Sequence, residues 1–112
     1  MLASPLAISA VAGCLGWPVP AADPQGDLTP SATPVLLVNS RHDPATAYPW
    51  ARHVAAQLGP KATLITYEGW GHVVYDHTKC VSALVDRYLI TLTPPAVGTS
   101  CPAVDPEPFG VG

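Results

Sequence analysis

Apolar residues in the middle of the chain follow two spacings, which together predict the order strand, helix, strand, helix. The unbroken apolar run at 34–39 is bounded by proline and polar residues, which is typical of a strand buried on both faces of a parallel sheet. A second strand is predicted at about 62–67, centred on Leu64 and Ile65. The segments that follow these strands, 40–47 and 68–72, are polar or glycine-containing and are predicted to be loops.

Two amphipathic helices are predicted, one after each strand. The first begins near Pro49, because proline suits the first turn of a helix, and ends at Gly59 and Pro60. The second covers roughly 78–92. The apolar positions at helical spacing are Ala51, Val54, Ala55 and Leu58 in the first helix, and Val81, Leu84, Val85, Tyr88, Leu89 and Leu92 in the second.

The order of the predicted strands and helices defines the fold class. A helix that joins two strands of one sheet gives a right-handed β-α-β unit with parallel pairing, so the chain is assigned to the α/β class. Two apolar strands alone would leave unpaired edges and bare apolar faces, so we expect a fragment or half of an assembly. The expected organisation is an apolar and proline-rich segment at 1–33, the α/β unit at 34–92 and an irregular tail at 93–112.

Charge and composition narrow the classes of partner. The net charge is −3, 12% of the residues are charged and Lys and Arg form no run, so neither nucleic acid nor an anionic membrane is expected as a partner. The apolar N-terminal stretch is shorter than the about 20 residues of a membrane-spanning helix, so no transmembrane segment is expected. The three cysteines form no Cys-x-x-Cys pair and no zinc-type cluster with histidine, and we expect no cofactor.

The apolar N-terminus has three interpretations. Residues 1–15 resemble a signal peptide, and the box at 11–14 resembles a lipoprotein cleavage site, which would make Cys14 a lipid-anchored N-terminus. Both signals normally have basic residues ahead of the apolar stretch, and this sequence has none there. We favour the third interpretation, in which the segment is the end of a helix within a longer parent chain.

Two of the predicted loops carry residues suited to catalysis. Asp43 follows the first strand and His72 follows the second, at the carboxyl ends where parallel sheets place their sites. A carboxylate that accepts the imidazole Nδ1–H fixes the tautomer and leaves Nε2 as a general base. Each residue also has a structural interpretation: Asp43 as a turn residue before Pro44, and His72 as a surface histidine in a glycine-rich turn. Their equivalent positions on neighbouring strands favour the catalytic pair.

A metal site is the competing chemical interpretation of these loops. His42, Asp43, His72 and His77 all have side chains that can bind metals. Metal sites favour ligands spaced along one element, whereas these four are scattered over two loops. We therefore expect no metal.

The same segments resemble a known family of enzymes. Residues 34–46 and 67–72, the latter with a Gly-Trp-Gly-His motif, look like the C-terminal region of tripeptidyl-aminopeptidase-like (TAP-like) α/β hydrolases. These hydrolases are exported bacterial serine peptidases, frequent in actinobacteria. Further features that fit are Cys14-x-x-Trp17-Pro18, Cys80, the helical segment 85–89 and the Pro-x-x-Gly-x-x-Cys ending at 95–101.

The resemblance implies both a fold and a function. The fold would be the C-terminal β-α-β-α portion of an α/β hydrolase, with an incomplete parallel sheet. Asp43 would be the orienting acid and His72 the base of a Ser-Asp-His triad. The parent enzyme would be a secreted or cell-envelope exopeptidase of the tripeptidyl- or prolyl-aminopeptidase type, acting on peptide or ester substrates.

The nucleophile is the main departure from the family pattern. TAP-like hydrolases place it before the acid and the base, in a G-x-S-x-G elbow. Ser4, Ser9, Ser31 and Ser40 precede Asp43, and none has glycines two positions before and after it. We expect the chain to be inactive alone, with the serine supplied by an upstream hydrolase core. The alternative is a non-catalytic truncated paralogue, or a small exported binding module or lipoprotein.

The cysteines fit the same resemblance. A disulfide between Cys80 and Cys101 would connect the last helix to the tail and hold the tail in place. Cys14 would then be left over, with a partner in the upstream part, a lipid anchor or a free thiol as the alternatives. The competing interpretation is that all three cysteines are reduced and buried.

Overall fold

The computed structural model describes residues 8–9, 12–17 and 26–104. In chain order its elements are β1 (Val35–His42), α1 (Tyr48–Leu58), a short 3-10 helix (Gly59–Lys61), β2 (Ala62–Trp70), α2 (Lys79–Thr91) and β3 (Ser100–Cys101). The predicted order strand, helix, strand, helix is confirmed. The signal-peptide and lipoprotein interpretations fall largely on residues outside the described ranges, as does the end of the tail.

All three strands run parallel in one sheet, in the order β1–β2–β3. β1 aligns with β2 from Val35 opposite Ala62 to His42 opposite Trp70, with one irregularity between Ser40 and His42. The α/β class and the parallel pairing are therefore confirmed. Because parallel strands end at the same edge of a sheet, the residues after β1 and after β2 come close together.

Both long strands extend further than the apolar pattern predicted. The sequence predicts that β1 ends at Asn39 and β2 at Tyr67, but the strands continue to His42 and Trp70. The predicted ends are wrong because strand pairing continues beyond the apolar runs, through the buried hydroxyl residue Ser40 and through exposed residues such as Arg41 and Trp70. An apolar run detects burial and does not detect pairing of this kind.

Cross-strand side-chain pairs accompany the two extensions. The guanidinium of Arg41 donates two hydrogen bonds of 3.0 Å to the carboxylate of Glu68. The ring of His42 stacks on Trp70, with 4.6 Å between the ring centroids. Pairs of this type stabilise neighbouring strands, and these two continue the sheet to the edge where Asp43 and His72 follow.

The tail contains a strand that the sequence analysis did not predict. Ser100 and Cys101 pair with Thr66 and Tyr67 of β2, although the whole tail was expected to be irregular. The structure contains a disulfide between Cys80 and Cys101, with 5.8 Å between the two Cα atoms. This bond connects α2 to β3 and brings β3 against the sheet. The two residues of β3 alone do not predict a strand.

The two helices cover opposite faces of the sheet. The hydroxyl of Tyr48 in α1 lies 2.7 Å from the hydroxyl of Thr66, and the next residue, Tyr67, belongs to the buried cluster that contains Val81 of α2. Consecutive strand residues point to opposite faces, so α1 and α2 lie on different sides. The buried cluster consists of Tyr67, Val74, Val81 and Cys101, with Val38, Leu84 and Val85 packed against it.

Part of the apolar surface of this unit is uncovered. The apolar stripe predicted for the second helix is buried at Val81 in α2, but Leu89 and Leu92, the residue directly after α2, are 66% and 70% exposed. In the described part of the chain β1 pairs only with β2, so the outer edge of β1 has no strand beside it. Within the described residues, the unit thus has an unpaired sheet edge and exposed apolar side chains, as the sequence analysis expected of a fragment or half of an assembly.

Candidate active site

The carboxylate of Asp43 and the imidazole of His72 are in direct contact. The Nδ1 atom of His72 lies 3.0 Å from Oδ2 and 3.2 Å from Oδ1 of Asp43. Asp43 directly follows β1, and His72 lies just beyond the end of β2. The extended ends of two parallel strands therefore bring together the two residues that the sequence analysis selected.

The loop after β1 binds the Asp43 carboxylate closely. Its Oδ1 accepts hydrogen bonds of 2.8 Å from the backbone N–H groups of Ala45 and Thr46. Its Oδ2 accepts a further bond of 2.8 Å from the hydroxyl of Thr46. With His72 as the fourth donor the side chain is only 3% exposed, so the acid has both a fixed orientation and a full set of donors.

These contacts lower the pKa of Asp43 well below its usual range. Burial acts in the opposite direction, because it disfavours the charged form. The hydrogen bonds from Thr46, His72 and Ala45 stabilise the carboxylate and together outweigh the effect of burial on its pKa. Asp43 is therefore ionised at neutral pH and can only accept hydrogen bonds.

The ionised acid determines the tautomer of His72. Because a carboxylate can only accept, the proton of a neutral imidazole in this contact lies on Nδ1, and Nε2 carries the lone pair. The hydroxyl oxygen of Thr46 lies 3.3 Å from the same Nδ1. The His72 side chain is 46% exposed, and within the described part of the chain no hydrogen bond engages Nε2. The ring thus presents a basic nitrogen on its outer side, as a general base requires.

The backbone before His72 is bound to β1. The N–H of Gly71 donates to the carbonyl of His42 at 3.4 Å, and the carbonyl of Gly71 accepts a bond of 2.5 Å from the hydroxyl of Ser40. Gly71 has φ +124°, and a Cβ at this position would collide with the ring of His77. Glycine is therefore required directly before His72, for both its conformation and its close contact.

Arg41 takes no part in the Asp43–His72 contact. Its guanidinium pairs with Glu68 and lies over the ring of Tyr48, 4.5 Å from the centroid. The hydrogen bond from Arg41 lowers the pKa of Glu68. The structure therefore places Arg41 against Glu68 and not against the acid of the pair.

The four residues of the metal interpretation are not brought together. His42 stacks on Trp70, and His77 contacts the ring of Tyr67 edge-on, with 6.0 Å between the centroids. Only Asp43 and His72 meet. In the described ranges no group of three or more His, Cys, Asp or Glu side chains is arranged to hold a metal ion.

Two site residues were missed by the sequence analysis. Thr46 binds the acid from within its loop, and an Asp followed three positions later by Thr is a local hydrogen-bonding pattern that could have identified it. Ser40 has no comparable signal, because its partner lies on the other strand. Both border a cavity of about 300 Å³ beside the pair, together with Asp43, His72 and Tyr75.

Comparison with known proteins gives the context of this geometry. The TAP-like protein family matches residues 1–101 of the chain. The chain is 37% identical over 90 residues to the serine protease Hip1 of Mycobacterium tuberculosis, and 39% identical over 90 residues to carboxylesterase B of the same species. Each match covers 79% of this chain and 17% of the relative, so the chain spans about a sixth of the length of these proteins.

The matched region and the three parallel strands together settle the family and the fold. The expected resemblance to the TAP-like hydrolases is confirmed by the family match over residues 1–101. One parallel sheet with two helices is consistent with part of an α/β-hydrolase fold. The chain belongs to the TAP-like family of α/β hydrolases.

Proposed function

We propose that this chain supplies the acid and the base, Asp43 and His72, of a serine hydrolase that cleaves peptide or ester bonds. The observation that carries the proposal is the 3.0 Å contact between Nδ1 of His72 and the enclosed carboxylate of Asp43, with Nε2 on the outer side of the ring. This is the arrangement in which a carboxylate orients a histidine for proton transfer.

The two nitrogens of His72 have different roles in the proposed mechanism: Nε2 transfers protons, and Nδ1–H stays bonded to Asp43. Nε2 accepts the proton of a serine hydroxyl as its oxygen attacks the substrate carbonyl, and the resulting imidazolium is stabilised by the Asp43 carboxylate. The imidazolium then protonates the leaving amine or alcohol, which gives the acyl-enzyme. In the second half Nε2 of His72 removes a proton from water, whose oxygen attacks the acyl group. The imidazolium then returns this proton to the serine oxygen as the acyl–oxygen bond breaks, which releases the carboxylic acid product and regenerates the serine and the neutral histidine. Asp43 remains ionised throughout.

The serine of this mechanism would come from outside these 112 residues. No two glycines of the chain stand four positions apart, so no G-x-S-x-G elbow is present. An upstream hydrolase core, in the same parent chain or in a separate one, would supply it. The outer edge of β1, which pairs with no strand among the described residues, supports this proposal, because a parallel strand of such a core could extend the sheet there.

The substrate class and the location are also proposals. One relative is named a serine protease and another a carboxylesterase, which supports peptides or esters as substrates, and we propose an exopeptidase of the tripeptidyl- or prolyl-aminopeptidase type. The Cys80–Cys101 disulfide supports a secreted or cell-envelope location, since such bonds persist in oxidising compartments. Among the described residues no helix is long and apolar enough to cross a membrane.

A chimera tests the proposal directly. The chain replaces the matching segment of Mycobacterium tuberculosis Hip1, and hydrolysis of a nitrophenyl ester and of a peptide anilide is measured. We expect turnover by the chimera, none by the isolated chain, and a loss in kcat of roughly 10⁴-fold for Asp43→Asn and roughly 10⁶-fold for His72→Ala. The matched control is His53→Ala, an exposed histidine of α1, which should keep full activity.

Three results would contradict this assignment. They are turnover by the isolated chain, full activity of the His72→Ala chimera, and a correctly folded chimera that hydrolyses neither substrate. The last result would favour the alternative function, a non-catalytic truncated paralogue or binding module.

A further inference from the structure

Ser40 is a buried hydroxyl residue that contacts the backbone of the histidine loop. Its side chain is fully buried, and its hydroxyl donates a bond of 2.5 Å to the carbonyl oxygen of Gly71. That carbonyl belongs to the peptide group that joins Gly71 to His72. We propose that Ser40 is a positioning residue that holds His72 in register with Asp43, a role that rests on the function proposed above for these two residues.

The bond joins the base to the strand that carries the acid. Ser40 lies in β1 three positions before Asp43, and β1 also supplies the His42 carbonyl that accepts the N–H of Gly71. The backbone on both sides of Gly71 is therefore attached to the strand that leads into Asp43. Any rotation of the Gly71–His72 peptide group would break the Ser40 bond and move the imidazole relative to the carboxylate.

The histidine loop needs such a restraint because of its glycine. Gly71 has a left-handed φ of +124°, and glycine has more backbone freedom than any other residue. A hydroxyl on a paired strand can remove this freedom, since site geometry is held best by rigid elements. The amide of Asn39 donates to the Ser40 carbonyl at 3.0 Å and to the Thr46 carbonyl at 3.2 Å, so the same stretch of β1 also holds the acid loop.

A merely structural role makes a different prediction. Any buried hydroxyl that has a partner contributes to stability, whether or not it serves a site. Thr66 provides the matched control, because it is 7% exposed, lies in the same sheet and places its hydroxyl 2.7 Å from that of Tyr48 on the opposite face. Loss of either hydroxyl should lower stability, but only loss of the Ser40 hydroxyl should alter His72.

Nuclear magnetic resonance of the complete chain separates the two roles. The imidazole nitrogen shifts of His72 report the tautomer, and the Nδ1–H proton reports the bond to Asp43, without any catalytic turnover. We expect the wild type and Thr66→Val to show His72 as the Nδ1–H tautomer. In Ser40→Ala the equilibrium constant between the bonded and unbonded states of His72 should fall roughly three- to tenfold, the factor that corresponds to one ordinary hydrogen bond. Ser40→Thr retains a hydroxyl and should show His72 in the bonded Nδ1–H state, as the wild type does.

Each outcome decides a different claim. An unchanged His72 in a destabilised Ser40→Ala overturns the positioning role and leaves the proposed catalytic pair intact. A wild type without the Nδ1–H tautomer overturns the pair and the positioning role together. If Ser40→Ala does not fold, Ser40→Cys leaves no cavity, since its side chain is slightly larger, and it offers only a weak S–H donor. An unchanged His72 in that variant likewise overturns the proposal, and a partial loss supports it.

Discussion

The hydroxyl of Thr46 lies 2.8 Å from Oδ2 of Asp43 and its oxygen lies 3.3 Å from Nδ1 of His72. Thr46 thus touches both members of the pair. Because the hydroxyl donates to the acid, its oxygen presents lone pairs toward the Nδ1–H of the base. One side chain on the loop after β1 therefore supports the orientation of the carboxylate and of the imidazole together.

Replacement of Thr46 by Val should weaken the pair without removing either member. The variant loses the hydroxyl bond to Asp43 but keeps the backbone N–H donor of residue 46, so we expect a loss of about 1 kcal/mol in the free energy of unfolding. In the active chimera kcat should fall more than KM rises. Urea denaturation and steady-state kinetics measure the two effects. Thr46→Ser, which keeps the hydroxyl, should behave like the wild type; equal losses in both variants would show that the hydroxyl is not responsible.

Acid should remove the stabilisation that Asp43 provides. Burial raises the pKa of Asp43, but the hydrogen bonds from Thr46, His72 and Ala45 outweigh this effect. In the folded protein the pKa of Asp43 is therefore below its unfolded value of about 3.9. A group with a lowered folded-state pKa stabilises the protein above its unfolded pKa and loses this contribution as the pH falls toward the folded value. The difference in stability between wild type and Asp43→Asn should therefore be largest near neutral pH and shrink below about pH 4.

Denaturant titrations at several pH values between neutral and acid measure this difference. Asp27→Asn is a suitable control, because its carboxylate is exposed and bonds only to the Gln57 amide in the described structure. A stability difference that stays constant into the acid range would mean that Asp43 is not selectively stabilised in its charged form.

The elements and the contact between Asp43 and His72 were predictable because they rest on the local patterns of strands and helices and on parallel pairing. An unbroken apolar run identifies β1, the segment centred on Leu64 and Ile65 identifies β2, and helical spacing identifies α1 and α2. Parallel strands then bring Asp43 and His72 to one edge. The chemistry of a carboxylate beside an imidazole then required no knowledge of side-chain positions.

The features that were missed depend on partners distant in sequence. β3 exists because the tail lies against Tyr67 and is joined to α2 through Cys80, and nothing in the two residues of the strand predicts a strand. The Ser40 hydroxyl gains its role from a carbonyl on the other loop. The strand ends were misplaced because pairing continues through exposed side chains such as Arg41, where burial gives no signal.

Reduction of the Cys80–Cys101 disulfide should release the tail from the sheet. The bond closes a separation of 21 residues, and the chain-entropy treatment of a loop of this size gives about 3 kcal/mol of stabilisation. The amide of Val104 should then lose its bond to the Tyr67 hydroxyl, and the Thr66 amide its bond to the Thr99 carbonyl. Hydrogen exchange with and without reductant would detect faster exchange at both amides. The double variant Cys80→Ala/Cys101→Ala should show the same exchange with or without reductant; protection that survives reduction would show that packing alone holds β3.

The last prediction concerns Gly71, the glycine directly before His72. At Gly71 an alanine would meet two costs, a left-handed φ and a collision with the His77 ring, whereas at Gly98, with φ +83° and open space around it, only the backbone cost applies. We expect Gly98→Ala to cost about 1 kcal/mol in the free energy of unfolding and Gly71→Ala distinctly more. Adding His77→Ala should relieve the collision, so the double variant should be more stable than the sum of the single losses predicts, by about 1 kcal/mol. Strict additivity in this cycle, measured by urea denaturation, would show that the His77 ring moves aside and that backbone conformation alone requires glycine before His72.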